Sequence, residues 1–184
     1  MRISKLPTGA APAGLEAAPA IAFQPGDFLL TQGHGITSRL IHFGQALRYW
    51  GADRKYAFWS HTALVVSSGG EIVEALGSGV RRSNISKYSE KSRHVVHLSG
   101  VSDSDRSQIV RFAEHCLKQK YGYLTIVSIA FSLLTGAKLS FGIDGQEICS
   151  GLVARALERA GEIFSEEPWH MMPASLAKFY DVTP

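Results

Sequence analysis

The chain has 184 residues, of which 45% are hydrophobic and 19% are charged. These values are typical of one soluble globular domain and exclude a disordered or fibrous protein. Nineteen basic residues against sixteen acidic residues leave a net charge of +3. A nucleic-acid-binding domain more often carries a larger positive charge with exposed aromatic residues between the basic ones. We therefore expect no nucleic-acid partner.

The N-terminal region differs in composition from the rest of the chain. Residues 1–23 are rich in alanine, proline and glycine, which predicts a flexible arm ahead of a single domain over residues 24–184. Prolines and a glutamate interrupt the apolar run that a signal peptide needs. The longest apolar run, at 123–134, has twelve residues, whereas a membrane span needs about twenty. We expect no stable membrane insertion, and a location that is cytoplasmic or reached by an export route without a signal peptide.

The first half of the domain carries short apolar runs separated by turn residues, which indicates β-strands. The predicted strands span residues 28–31, 61–66, 71–76 and 95–98, with a helix over 37–49 after the first strand. Two serines and two glycines at 67–70 separate the second and third strands, and this composition is typical of a hairpin turn.

The second half of the domain is predicted to be mostly helical. Ser102 and the aspartates that follow it are typical of a helix start. A buried helix is predicted over 121–134, and a third helix over 149–160 with Gly161 as its end. Strands early and helices late predict the α+β class, with an antiparallel sheet packed against helices.

Cys149 is the candidate nucleophile because it lies at the start of the third predicted helix. The helix dipole and the unpaired backbone N–H groups there favour a thiolate, and the same groups can bind an oxyanion. A small buried core residue is the alternative. Cys116, the second of the two cysteines, lies on the apolar face of its helix and is predicted to be a core residue. Two cysteines make no disulfide framework and favour a reduced compartment.

His61 begins an otherwise apolar strand and is the candidate base for that thiol. A structural histidine is the alternative. If the turn has two or four residues, Ser67 pairs with Gly70. His61 then faces Leu76, and Glu74 lies two residues away on the same face, about 7–8 Å along the diagonal. A glutamate there can orient the imidazole. A loop with an odd number of residues would put His61 and Glu74 on opposite faces.

A basic segment follows the strand of Glu74. It contains Arg81, Arg82, Lys87, Lys91 and Arg93 with Glu90. Such a segment is most often a solvated face. Its place after the Glu74 strand also allows it to border the cleft, where it would favour acidic partners.

Several short motifs occur in one order along residues 24–178. They are PGDF at 25–28, SHTALVV at 60–66, IVEA at 72–75, ICSGLV at 148–153 and PASL at 173–176. Together they resemble the circularly permuted NlpC-type papain-like family, in particular its YiiX-like branch, which is related to the lecithin:retinol acyltransferase type. In that family the histidine and its polar partner precede the cysteine, and the resemblance therefore implies a Cys149, His61 and Glu74 triad. Members often carry Cys-Ser-Glu-Leu where this chain has Gly151 after Cys149 and Ser150.

The resemblance implies a permuted papain-like fold and a cysteine hydrolase that cleaves an amide bond, with a cell-wall peptide as the leading substrate class. A lipid ester hydrolase or acyltransferase with the same triad is one alternative, and a catalytically silent binding module is the other. No phosphate-binding loop, dinucleotide motif or zinc spacing occurs, so we expect no cofactor and no metal. A cell-wall substrate without a signal peptide favours an exported antibacterial effector, with an immunity or delivery protein as its partner.

Overall fold

The computed structural model describes residues 23–33, 36–117, 120–121 and 146–184. The predicted arm over residues 1–23 lies outside the described residues except for Phe23, which packs against a small apolar cluster on the outer face of the sheet. The helix predicted over 121–134 also lies outside them, apart from its first residue, which ends a short strand.

A five-stranded antiparallel sheet forms the centre of the described structure. Its strands are β1 (Phe28–Thr31), β2 (His61–Val65), β3 (Glu71–Leu76), β4 (Gly79–Asn84) and β5 (Arg93–Val96). Their order across the sheet is β4-β3-β2-β1-β5. The sequence does not predict β4, because polar residues occupy most of it and the apolar alternation is lost. The last strand begins two residues earlier than predicted and ends at Val96, because it continues the pairing of β1 only that far.

The helices lie mainly in the second half of the chain, and the α+β class is thereby confirmed. Among the described residues the α-helices are α1 (Ile36–Arg48), α2 (Asp103–His115), α3 (Cys149–Glu158) and α4 (Pro173–Phe179). A 3₁₀ helix (Gly51–Phe58) leads from α1 into β2. The short strands β6 (Lys120–Tyr121) and β7 (Gln146–Glu147) form a parallel pair immediately before α3. Within these described ranges, none of the helices has the length and apolar character needed to cross a lipid bilayer.

The main core lies between the inner face of the sheet and helices α2 and α3. Phe28 and Leu64 on the sheet and Leu152 and Leu157 on α3 are fully buried there. Each such side chain contributes roughly 1.5–3 kcal/mol by leaving water. This burial fixes α3 against β2 and β3, and the first turn of α3 therefore lies beside the first residue of β2.

A buried carboxylate joins the start of β1 to α2. Asp27 accepts hydrogen bonds from Arg106 Nη1 at 2.8 Å and from the backbone N–H of Leu98 at 3.1 Å on one oxygen, and from His97 Nδ1 at 2.7 Å on the other. Three donors compensate for the desolvation of a fully buried charge. The Gly-Asp opening of β1 therefore attaches this strand and the segment after β5 to α2.

Candidate active site

Three secondary-structure elements bring the three predicted site residues together. His61 is the first residue of β2, Glu74 lies in the middle of β3, and Cys149 is the first residue of α3. All three side chains are buried, and the imidazole hydrogen-bonds both of the other two.

The imidazole of His61 lies between the carboxylate and the thiol. Nε2 of His61 is 2.9 Å from Oε2 of Glu74. Because an ionised carboxylate only accepts hydrogen bonds, Nε2 donates to Glu74. The other ring nitrogen, Nδ1, is the one that Glu74 leaves free for Cys149, whose interaction with the imidazole helps to raise the pKa of His61.

The strand register is the even-turn alternative considered from the sequence. Leu64 pairs with Val73, Val65 pairs with Ile72, and the Gly70 N–H donates to the Ser67 carbonyl across the turn. Extending this register places Glu74 on the His61 face of the sheet. The predicted diagonal contact between His61 and Glu74 is therefore present in the structure.

The Glu74 carboxylate is fully buried and is satisfied by donors from three side chains. Oε2 accepts from His61 and, at 2.5 Å, from the phenol of Tyr88, while Oε1 accepts from Lys87 Nζ. Lys87 and Tyr88 come from the 3₁₀ turn that follows β4. They hold the carboxylate in place without competing for the thiol.

The pKa values of this group follow from these contacts. Burial alone would lower the pKa of His61, but hydrogen bonds and charge interactions with Cys149 and Glu74 outweigh it and raise the pKa to about 9. Burial would raise the pKa of Glu74, yet the hydrogen bonds from His61, Lys87 and Tyr88 hold it well below its usual range. Burial, followed by the hydrogen bond to Glu74, raises the pKa of Tyr88, which therefore stays a phenol donor.

Cys149 occupies the first turn of α3, where the backbone N–H groups have no intrahelical partner. The side chain of Ile148, which precedes the helix, makes no capping hydrogen bond to those groups. Ser150 turns away from the site and donates to the Met171 carbonyl at 2.5 Å. First-turn N–H groups without a side-chain cap are the kind of donor that an oxyanion-binding site uses.

A cavity of about 240 Å³ opens next to the imidazole. One wall carries Ser60, whose Oγ accepts from the Gly33 N–H at 3.0 Å and lies 2.8 Å from the Ser38 Oγ. The opposite wall carries Lys87 and Tyr88. The cavity reaches His61, and its lining combines these polar side chains with the apolar Ile41 and Leu76.

Four residues of this site are not predicted as site residues from the sequence: Ser38, Ser60, Lys87 and Tyr88. Lys87 belongs to the basic segment and lines the cavity, whereas Arg82 and Arg93 of the same segment pair with glutamates outside it. Ser60 directly precedes His61 in the SHTALVV motif, and that position is the only feature of the sequence that points to a role for it in the site. No pattern in the sequence indicates Tyr88, which reaches Glu74 only through the turn after β4.

Within the described ranges, no group of three or more His, Cys, Asp or Glu side chains could hold a metal ion. Cys116 is buried in the main core, as predicted, and neither it nor Cys149 is in a disulfide. No protein-family model and no curated protein sequence matches the chain.

Proposed function

We propose that the protein is a cysteine hydrolase in which Cys149 is the nucleophile, His61 the acid and base, and Glu74 the group that orients His61. The observation that carries the proposal is the 2.9 Å hydrogen bond from His61 to the buried Glu74, together with the interaction with Cys149 that helps to raise the pKa of His61. A buried ionised carboxylate is stable only with several hydrogen-bond donors. A histidine with a purely structural role does not need such a carboxylate as its partner.

The chemistry proceeds in two balanced steps. Before attack the thiol proton of Cys149 has passed to His61, whose raised pKa of about 9 keeps the imidazole protonated at neutral pH. The Cys149 sulfur attacks the carbonyl carbon while first-turn N–H groups of α3 hold the oxyanion. The imidazolium then protonates the leaving nitrogen, the C–N bond breaks, and a thioester remains. Water attacks the thioester with His61 as base, the C–S bond breaks, the carboxylic acid leaves, and the thiolate and imidazolium are restored. An amine or alcohol in place of water would give acyl transfer.

The proposal includes a permuted papain-like fold. Its support is the order of the three residues, His61 and Glu74 on adjacent antiparallel strands and Cys149 at the start of a later helix. This order agrees with the family that the sequence motifs resemble. Gly26 and Asp27, which that resemblance includes, have a defined role here because they attach β1 to α2.

The leading substrate class is an amide bond in a cell-wall peptide, by resemblance. Lys87 supports an acidic substrate, because it lines the cavity beside His61 and its side chain stays partly exposed while its ammonium holds Glu74. A carboxylate of a muropeptide is one such group. This substrate class requires export, and we include an immunity or delivery partner in the proposal.

A lipid ester is the second candidate substrate. The observation that favours it is the position of α1, which supplies Ser38 and Ile41 to the cavity and exposes large apolar side chains on its outer surface. The same triad would cleave an ester with an alcohol as the leaving group.

Turnover assays test both candidates. Peptidoglycan fragments and phospholipid vesicles are incubated with the protein, and products are identified by mass spectrometry. Cys149→Ala and His61→Ala are expected to abolish product formation, while Cys116→Ala, the matched substitution in the core, leaves it unchanged.

Amide cleavage supports the leading substrate, and ester cleavage supports the second. Folded Cys149→Ala protein with full turnover would overturn the proposed mechanism, and a chain with no turnover and an unreactive Cys149 would be a binding module instead.

A further inference from the structure

The outer face of α1 exposes a row of large apolar side chains. Leu40 is 46% exposed and Phe43 is 53% exposed, and Leu47 continues the same helical face one turn later. Trp50, just beyond the helix, is 71% exposed and its indole N–H donates to the Leu47 carbonyl at 2.6 Å. With its polar atom satisfied by the helix, the Trp50 ring presents an apolar surface to solvent. We call these four residues the α1 stripe.

The opposite face of α1 is anchored, so the helix cannot rotate to bury the α1 stripe. Gln45 is fully buried on that face. Its amide nitrogen donates to the Trp59 carbonyl at 2.8 Å, and its amide oxygen accepts from the Ala174 N–H at 2.8 Å. Exposure of the α1 stripe is therefore a fixed property of the described fold.

The charged residues of α1 itself are of one sign. No aspartate or glutamate occurs within α1, and Arg39 and Arg48 are its charged residues. Arg48 pairs with Glu166 at 2.5 Å. Arg39 and Arg54 are exposed and form no ion pair within the described parts of the chain. Arg39 in the first turn of α1 and Arg54 beyond its last turn thus place two exposed cations beside the apolar surface.

We propose that the α1 stripe docks the protein on a membrane surface that contains anionic lipids. A helix with Leu, Phe and Trp on its outer face and arginines beside them is suited to the boundary between lipid headgroups and acyl chains. The arginines favour a negatively charged surface, which an apolar protein partner would not require. The positive charge beside the α1 stripe is therefore the reason to propose an anionic lipid surface rather than a protein as its partner.

Docking through α1 would bring the candidate active site to the membrane. Ser38 and Ile41 lie on the inner part of the same helix and line the cavity beside His61. A substrate held in or attached to the membrane would therefore meet the cavity without leaving the surface. Membrane binding itself does not depend on catalysis, so its failure and the failure of the proposed hydrolase are separate results.

Co-sedimentation with vesicles tests the proposal. Vesicles of phosphatidylcholine alone are compared with vesicles that also contain phosphatidylglycerol, and the protein is expected to bind the second kind more strongly. Phe43→Ser is expected to weaken that binding about tenfold, since a large apolar side chain no longer leaves water. Phe179→Ser is the matched control, because Phe179 lies on α4 and is 48% exposed. It is expected to leave the binding unchanged.

Substitution of Arg39 and Arg54 and the fluorescence of Trp50 give two measurements that do not depend on Phe43. Arg39→Gln with Arg54→Gln is expected to reduce binding to the anionic vesicles, and added salt is expected to do the same. Arg111→Gln, which removes an exposed cation from α2, is the control for charge. The fluorescence of Trp50 should shift to shorter wavelength on binding, and Trp50→Phe should remove that shift.

Three results would overturn the proposal. The first is equal or absent binding to the two kinds of vesicle. The second is binding that Phe43→Ser leaves intact in a folded protein, as judged by an unchanged circular dichroism spectrum. The third is a dimer in sedimentation that Phe43→Ser dissociates, because the α1 stripe would then be covered by a second copy of the chain.

Discussion

His61 and Glu74 lie diagonally across two antiparallel strands, with Nε2 of the imidazole 2.9 Å from Oε2 of the carboxylate. Neither side chain has more than slight contact with solvent. A buried carboxylate without donors would be strongly unfavourable, so the pair depends on the donors that Lys87 and Tyr88 supply to Glu74. The relationship therefore links the reactive imidazole to the turn after β4.

The pH dependence of turnover should report the pKa of His61. A pKa raised to about 9 keeps the imidazole protonated through neutral pH, and it loses its proton as the pH rises through about 9. Because the imidazolium must protonate the leaving group, turnover should stay level through neutral pH and fall above about 9.

Glu74→Gln tests the cause of that raised pKa. It removes one of the charges that raise the pKa of His61, so the fall in turnover should begin at lower pH. The rate should also drop by roughly 10³-fold or more, because an amide no longer fixes the tautomer. A pH profile that is identical in the two proteins would contradict this role of Glu74.

Alkylation by iodoacetamide should distinguish the two cysteines. Cys149 and Cys116 are both 1% exposed, so burial alone gives no reason for different rates. Cys149 lies next to the imidazole and at the start of a helix, both of which favour thiolate reactivity. We expect Cys149 to react faster at neutral pH, as measured by peptide mass spectrometry.

His61→Ala is the control for that measurement. It should bring the rate at Cys149 down towards that of Cys116, while the rate at Cys116 stays the same. Equal rates for the two cysteines in the native protein would argue against an activated nucleophile and for a binding module.

The sequence predicts the His61–Glu74 contact because its determinants are local. The turn at 67–70 is short and glycine-rich, and the two flanking strands are apolar, so few registers are available. The start of α2 is predicted for a similar reason, since Ser102 accepts a hydrogen bond from the Asp105 N–H at 3.2 Å. Cys149 is predicted at a helix start from the apolar spacing that follows it.

The rest of the site depends on contacts that no local pattern carries. β4 is recognised only by its pairing with β3, since its exposed residues are polar. That pairing positions the turn from which Lys87 and Tyr88 reach Glu74. Tyr88 has no neighbours in sequence that indicate a buried partner, and Ser38 reaches Ser60 only because α1 folds back over β2. These donors follow from tertiary structure, which sequence spacing does not encode.

Tyr88→Phe should destabilise the protein by about 1.5–3 kcal/mol, because it removes a hydrogen bond to a buried charged acceptor. Tyr49→Phe is the matched control. The Tyr49 phenol lies 2.7 Å from the Ser175 hydroxyl, a neutral partner, and its loss should cost about 0.5–1.5 kcal/mol. Urea unfolding of the two variants gives the comparison. Equal losses would mean that the charge on Glu74 does not depend on Tyr88.

Gly151 is the position at which the chain departs from the motif that it resembles, and the structure gives a reason for the small residue. A Cβ added there would lie 3.1 Å from Ile148 Cγ1 and 3.2 Å from the Pro168 carbonyl oxygen. The segment with Pro168 therefore packs directly on the first turn of α3. Gly151→Glu should displace that segment and lower the free energy of unfolding by about 1–3 kcal/mol.

The same displacement should reach Cys149, which lies two residues earlier on the same turn of α3. We expect slower alkylation of Cys149 in Gly151→Glu, measured beside urea unfolding. Gly69→Glu is the matched control, because a Cβ at Gly69 would meet only the Ser67 hydroxyl, at an ordinary 3.6 Å. It should change the free energy of unfolding by no more than about 0.5 kcal/mol. If Gly151→Glu were as stable as the native protein, the contact with Pro168 would not be what restricts this position to a small residue.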